Sequence, residues 1–139
     1  MCTINYNLII KDSDIMLEIK DKMVIKVSVA KPEITKDWAE DLISEHEYIS
    51  MGFSSLTYNL VFTSKRIIIM NAKVITKKKK EFTSIPYSSI SYYSIDTEGF
   101  LKNSTGLEIF VKDLGLLRIQ FNSETDIKEI GKLIIDNMD

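Results

Sequence analysis

Leu60-Val61-Phe62-Thr63-Ser64-Lys65-Arg66-Ile67-Ile68-Ile69-Met70 is the stretch on which the fold of this chain turns. Two apolar runs flank Ser64 and Lys65, and Val61, Thr63, Ile67 and Ile69 supply the β-branched residues of a buried strand pair. The run Ile67-Ile68-Ile69-Met70 has no polar residue at alternate positions, so a strand here has no wet face. Both of its faces need cover: the core on one side, and the N-terminal segment or another subunit on the other.

Working outward from this pair, short alternating runs recur at 47–53, 57–63, 66–72, 80–85, 90–96, 106–111 and 116–121. Turn-forming residues separate them at Asn71, Gly99, 103–106 and 113–115. Seven short runs at this spacing predict an antiparallel sandwich or small barrel rather than alternating strands and helices. Pro86 suits a strand entrance or edge, because it cannot donate to a ladder. The chain then closes with a helix. Ser123 reads as its N-cap with Glu124 and Asp126 in the first turn, and Ile127, Ile130, Leu133, Ile134 and Met138 form an apolar stripe.

Upstream, Ile15, Leu17 and Ile19, and then Met23, Ile25, Val27 and Val29, alternate as two strands turning at Asp21-Lys22. The rival reading is an amphipathic helix over 14–22, since Ile15, Ile19 and Met23 also fall four apart. Pro32 ends this segment. From Thr35 a short helix is predicted, with Asp37 at its positive end and Trp38 and Leu42 on one face, ending near 44–46.

The composition of the 139 residues, 45% hydrophobic and 27% charged, suits one globular domain and is too apolar for a disordered chain. No apolar run approaches the roughly 20 residues that a spanning helix needs. Residues 1–10 lack the basic, apolar and small-residue regions of a secretory signal, so a cytoplasmic location is expected. The single cysteine, Cys2, has no partner for an internal disulfide, in keeping with a reducing compartment. The net charge is -2, but it is unevenly spread. Seven of the 18 basic residues (Lys65, Arg66, Lys73, Lys77, Lys78, Lys79 and Lys80) fall within 65–80 with no acidic one, leaving 11 against 20 acidic residues elsewhere.

A family resemblance rests on three pieces in order: Leu60-Val61-Phe62-Thr63-Ser64-Lys65-Arg66-Ile67, then Ser84-Ile85-Pro86-Tyr87-Ser88-Ser89-Ile90, then Asp96-Thr97-Glu98-Gly99. With Leu107-Glu108-Ile109 and Phe121 before the last helix, they resemble the bacterial pleckstrin-homology-like domain over roughly residues 45–138. The resemblance implies a mainly β, seven-stranded barrel plugged by a C-terminal helix, here with an N-terminal β extension. The extension would take residues 1–32 and the domain 33–139. It also implies a ring-forming homo-oligomer with no established enzymatic activity, since the family has no catalytic motif to carry over. The phosphoinositide-binding pattern of eukaryotic relatives does not transfer.

Catalysis finds little footing in the residues themselves. His46 and Cys2 are the only histidine and cysteine, with no metal-ligand spacing, and pairs such as Glu45 with Glu47 or Asp96 with Glu98 have the spacing of solvated faces. No metal or organic cofactor is expected. Phosphate chemistry is the better candidate: Lys73, Lys77, Lys78, Lys79 and Lys80 could act as point charges for an anionic ligand, a lipid surface or an acidic protein. The plainer reading of such a run is a solvated loop that resists aggregation. Nucleic acid is disfavoured, because aromatic residues are not interleaved with the lysines. Tyr87, Tyr92 and Tyr93, with Phe82 nearby, read as packing residues, or as residues at a barrel mouth or subunit boundary. The interface expectation therefore falls on Ile67, Ile68, Ile69, Met70, Tyr92 and Tyr93.

The expected function is a non-enzymatic binding or assembly module that associates with itself. Alternatives are a peripheral binder of anionic lipid acting through the lysine run, and a small-ligand or nucleotide-sequestering protein.

Overall fold

In the computed structural model the described residues are 22–26, 28–29, 38–55, 58–71, 81–98, 104–122 and 125–139. Among the described residues nine strands form two sheets. They are β1 (Lys22–Lys26), β2 (Ser28–Val29), β3 (Ile49–Ser54), β4 (Tyr58–Thr63), β5 (Arg66–Asn71), β6 (Glu81–Pro86), β7 (Ile90–Asp96), β8 (Ser104–Val111) and β9 (Gly115–Asn122), followed by helix α1 (Ile127–Asn137). One sheet has the order β1-β9-β8-β7 and the other β2-β3-β4-β5-β6. All neighbours are antiparallel except β1, which runs parallel to β9.

The seven alternating runs correspond to β3 through β9, but they do not close into the expected barrel. Pro86 ends β6, and the 3₁₀ turn Tyr87–Ser89 swings the chain into β7 of the other sheet, so among the described residues β6 and β7 are outer strands of separate sheets. On the opposite flank, β1 borders β9 and β2 borders β3, with one residue between them. A single stretch of chain thus edges both sheets. The second arm of the expected N-terminal hairpin corresponds to these strands. The first arm, and the rival helix over 14–22, lie outside the described residues.

The β4–β5 pair carries the core. Leu60 opposite Ile69 and Phe62 opposite Ile67 point inward, while Val61 opposite Ile68 points outward. The inward side chains meet Ile85 and Tyr87 from their own side, and Leu107, Ile109, Leu117 and Ile119 from the facing sheet. Phe121 of β9 meets Phe53 edge-on at 4.7 Å, and Phe53 meets Phe62 edge-on at 5.9 Å, so three rings tie the sheets together. Burial of each such side chain stabilises the fold by about 1.5–3 kcal/mol.

Helix α1 covers one end of this core through Ile127, Ile130 and Ile134, with Leu133 and Met138 at its margin. The predicted stripe holds, but the cap lies later in the chain. Asp126 is the N-cap and its carboxylate accepts from the Glu129 amide at 3.4 Å, while Ser123 and Glu124 lie outside the described residues. Thr125 first turns the chain back by donating its amide to the Asn122 carbonyl at 3.1 Å, which delays the first helical residue to Ile127.

The outward face of β4–β5 is covered by the chain itself. Ala39, Val61 and Ile68 form a second buried cluster, against which Trp38, Leu42, Ile43 and Ile49 pack. This corrects the expectation that the N-terminal segment or another subunit supplies the cover. The predicted Trp38 and Leu42 face is what meets the sheet. Only Trp38 and Ala39 of the predicted helix are helical among the described residues, and a turn bond from the Leu42 amide to the Ala39 carbonyl follows them.

A buried ion pair pins that covering segment. The Glu47 carboxylate receives Arg66 Nε at 2.9 Å and Arg66 Nη2 at 3.0 Å, the Ser44 amide at 2.9 Å and the Thr63 hydroxyl. Arg66 Nη2 also donates to the Leu42 carbonyl at 2.6 Å, and Nη1 to Ser84 Oγ at 3.1 Å. Thr63 Oγ1 accepts the Lys65 and Arg66 amides, shaping the two-residue turn between β4 and β5. Tyr87 donates its hydroxyl to the Thr63 carbonyl at 2.7 Å, and burial, with the Glu47 charge, pushes that hydroxyl's pKa up. Ser44, Thr63 and Arg66 thus converge on one carboxylate.

Burial alone would raise the Glu47 pKa, but the hydrogen bonds from Arg66, Thr63 and Ser44 outweigh it and hold the carboxyl down at about 2 instead of 4.5. Glu47→Ala is expected to cost about 3 kcal/mol in urea unfolding, because it leaves the Arg66 guanidinium half-buried without its acid. An unchanged stability would show that the pair holds nothing in place. The folded-state pKa is depressed, so the ionised carboxylate stabilises fully above pH 4.5 and loses that contribution as the pH falls toward 2. The stability gap between wild type and Glu47→Gln should therefore narrow over that window. A gap independent of pH would contradict the assigned ionisation.

Candidate functional site

The outer face of the β1-β9-β8-β7 sheet holds the second group of buried charge. Arg118 on β9 is buried although it points away from the core, and it donates to Glu108 on β8 at 3.0 Å and to Asp96 on β7 at 3.3 Å. One cation thus crosses three strands. Gly106 makes the crossing possible, since a Cβ there would stand 2.3 Å from Arg118 Nη2. The sequence reading treats 103–106 as a turn, whereas β8 begins at Ser104 and Gly106 lies inside it. The available signal is a glycine within an apolar strand, which marks close approach by a neighbour. The spacing of the sequence alone does not single out Arg118.

At the near end of the same face, Tyr92 stacks on Phe110 with centroids 5.5 Å apart and planes 6° apart. Tyr92 remains 53% exposed. The bulge between Ile90 and Tyr92 lets Ile90 enter the core while Tyr92 turns outward. Tyr93 falls on the inner face and is half-buried beside α1, where its ring and Ile95 approach Gly131. A Cβ at Gly131 would lie 2.6 Å from Ile95 Cδ1, so the absence of a side chain there lets the helix settle on β7.

The sequence-derived interface residues therefore separate. Ile67, Ile68, Ile69 and Met70 are buried within the chain and occupied by its own two clusters, apart from Met70 at their margin. Tyr92 is at the surface and Tyr93 is half-covered. Lys73, Lys77, Lys78, Lys79 and Lys80 lie outside the described residues, as does Cys2. His46 is exposed in the loop before Glu47. Among the described residues, no group of three or more His, Cys, Asp and Glu side chains is placed to hold a metal ion. Nor is any described helix long and apolar enough to cross a membrane.

The fold and sequence have relatives. The solved pleckstrin-homology domain protein of the DUF1696 family from Shewanella loihica superposes with a TM-score of 0.68 at 20% identity, covering 82% of this chain and 98% of the other. That of a pleckstrin homology domain from Shewanella amazonensis gives a TM-score of 0.56 at 23% identity, covering 80% and 90%. In sequence, the uncharacterized Bacillus subtilis protein YjqA is 35% identical over 95 residues, which are 67% of this chain and 76% of YjqA. A second uncharacterized protein of that organism, YozO, is 27% identical over 99 residues, 71% of this chain and 85% of YozO. The model of the bacterial PH domain family matches residues 18–138. With two thirds of the chain aligned to a relative at this identity, and a two-sheet fold closed by a C-terminal helix, the chain belongs to the bacterial PH domain family.

Proposed function

We propose that this protein is a non-enzymatic assembly module that works by associating with copies of itself, in the cytoplasm. The observation that carries this reading is the flank formed by β7 and α1. Tyr92 is 53% exposed, Ile95 36% and Ile135 55%, on either side of an outer strand. Apolar side chains gathered at a surface favour a protein partner over water. The charges of Glu47, Arg66 and Arg118 support the non-enzymatic half of the reading, because each is engaged in joining elements of the fold. Native mass spectrometry and sedimentation at micromolar concentration should give one defined oligomer. A monomer at every concentration would end this reading.

The seven basic residues within 65–80 favour a second reading, peripheral binding to an anionic lipid surface. Each lysine near such a surface contributes about 1 kcal/mol, an attraction that salt screens. Replacing Lys77, Lys78, Lys79 and Lys80 by serine should then abolish co-sedimentation with phosphatidylserine vesicles at low salt, with the melting temperature unchanged. Binding that survives the four substitutions would remove these lysines as its cause, and absent binding by the wild type would remove the lipid reading.

A further inference from the structure

Arg118 and Gln120 of β9, two residues apart, share the outer face of the β1-β9-β8-β7 sheet, and both are buried there. Gln120 is only 2% exposed, although its ladder neighbour on β8 is Gly106, which has no side chain to shield it. Its Oε1 accepts from Ser104 Oγ at 3.3 Å, while Nε2 has no acceptor among the described residues. Whatever covers this strip has a donor to satisfy as well as a surface to bury. The other described elements have their places elsewhere. The facing sheet and α1 pack on the inner face, and the segment around Trp38 covers the outer face of the other sheet.

A gradient across the strands marks where the cover lies. The side chain of Arg118 on β9 is 6% exposed, that of Glu108 on β8 22% and that of Asp96 on β7 45%. The neighbouring row runs the same way: Leu116 on β9 and Phe110 on β8 are half-buried, whereas Tyr92 on β7 is exposed. A loop bridging β7 and β8 would shield Asp96 first, which is the reverse of this order. The shielding is strongest over β9, beside β1. It is present in a single chain, so a second copy is not needed to produce it.

We propose that residues 1–21 fold back over β9 and form this cover, with Ile15 and Ile19 against the outer face of the sheet. The chain enters β1 at Lys22, opposite Leu116, so the segment arrives at the end of the sheet where the covered strip begins. From Leu116 to Gln120 the strip is about 13 Å long, which about four extended or nine helical residues span. The 21 residues before Lys22 allow this with room for a reversal. Ile15 and Ile19 are apolar positions in both the alternating and the helical pattern of this stretch, and four residues apart they share a face in either form. Residues 1–17 fall outside the matched family model, so the cover is an addition of this chain to the shared domain. It closes the outer face of β9 to other partners and leaves the flank of β7 open. The inference is independent of the assembly reading.

The test uses a single thiol as a probe in full-length protein carrying Cys2→Ser. In Gln120→Cys the thiol lies under the cover, and in Ser94→Cys it lies on the same face at exposed β7. Reaction with a maleimide is timed for each, with and without the pair Ile15→Asp and Ile19→Asp. The expected result is that the Gln120→Cys thiol reacts at least tenfold faster once the two aspartates are present, while the Ser94→Cys thiol keeps one rate. A Gln120→Cys thiol that is equally slow in both proteins overturns the proposal, because another segment then forms the cover. One that is equally fast in both shows an open face and overturns it too. Should any of these variants fail to fold, a short bismaleimide decides, with Glu18→Cys paired either with Ser94→Cys or with Ser84→Cys on the outer face of the other sheet. A link within one chain for the Ser94 pair and none for the Ser84 pair supports the cover. Links for both pairs, for neither, or only between chains overturn it.

Discussion

A strand without a wet face is the constraint from which the rest of this structure follows. Ile67, Ile68 and Ile69 of β5 can all leave water only if something covers each side of the sheet. The facing sheet and α1 cover one side. The other is covered by the segment around Trp38 and Leu42. Its anchor is Glu47, and the anchor works because Arg66 lies at the start of the very strand that needs covering. The same β5 therefore creates the demand for a cover and supplies the cation that fixes it.

Charge is used in the same way on the second sheet. Arg118 crosses β9, β8 and β7 over a glycine and binds carboxylates on the two strands beyond its own. Glu108 and Arg118 sit directly opposite in the ladder, so their attraction also favours the correct register. Both sets of buried charge serve to hold elements together.

The alternation of apolar residues made β3 through β9 and the stripe of α1 legible, because each strand or helix buries one stripe at its own period. The Trp38 and Leu42 pairing was legible for the same reason. The cover over Ile68 was misassigned to the N-terminal segment or to a neighbour, since periodicity says that a face is buried and is silent about what buries it. The closed barrel also failed. Pro86 was recognised as an edge residue, but its effect on the connection into β7 depends on where the following 3₁₀ turn sends the chain. Asp126 took the capping role expected of Ser123 because the turn at Thr125 shifts the helix start, a local hydrogen bond that composition does not reveal.

The candidate surface divides along the same line. The sequence by itself determined that 67–70 is buried on both faces, that Tyr92 and Tyr93 occupy a strand, and that the chain resembles bacterial pleckstrin-homology-like domains. These are properties of residue order, since hydrophobic period and short motifs are local. Only the tertiary structure decided that Tyr92 turns outward while Tyr93 packs on α1, that Arg118 is a buried cation over Gly106, and that β6 and β7, consecutive in sequence, fall in separate sheets. Each of these depends on which strands become neighbours, and strand neighbours are chosen by long-range packing that no local pattern encodes.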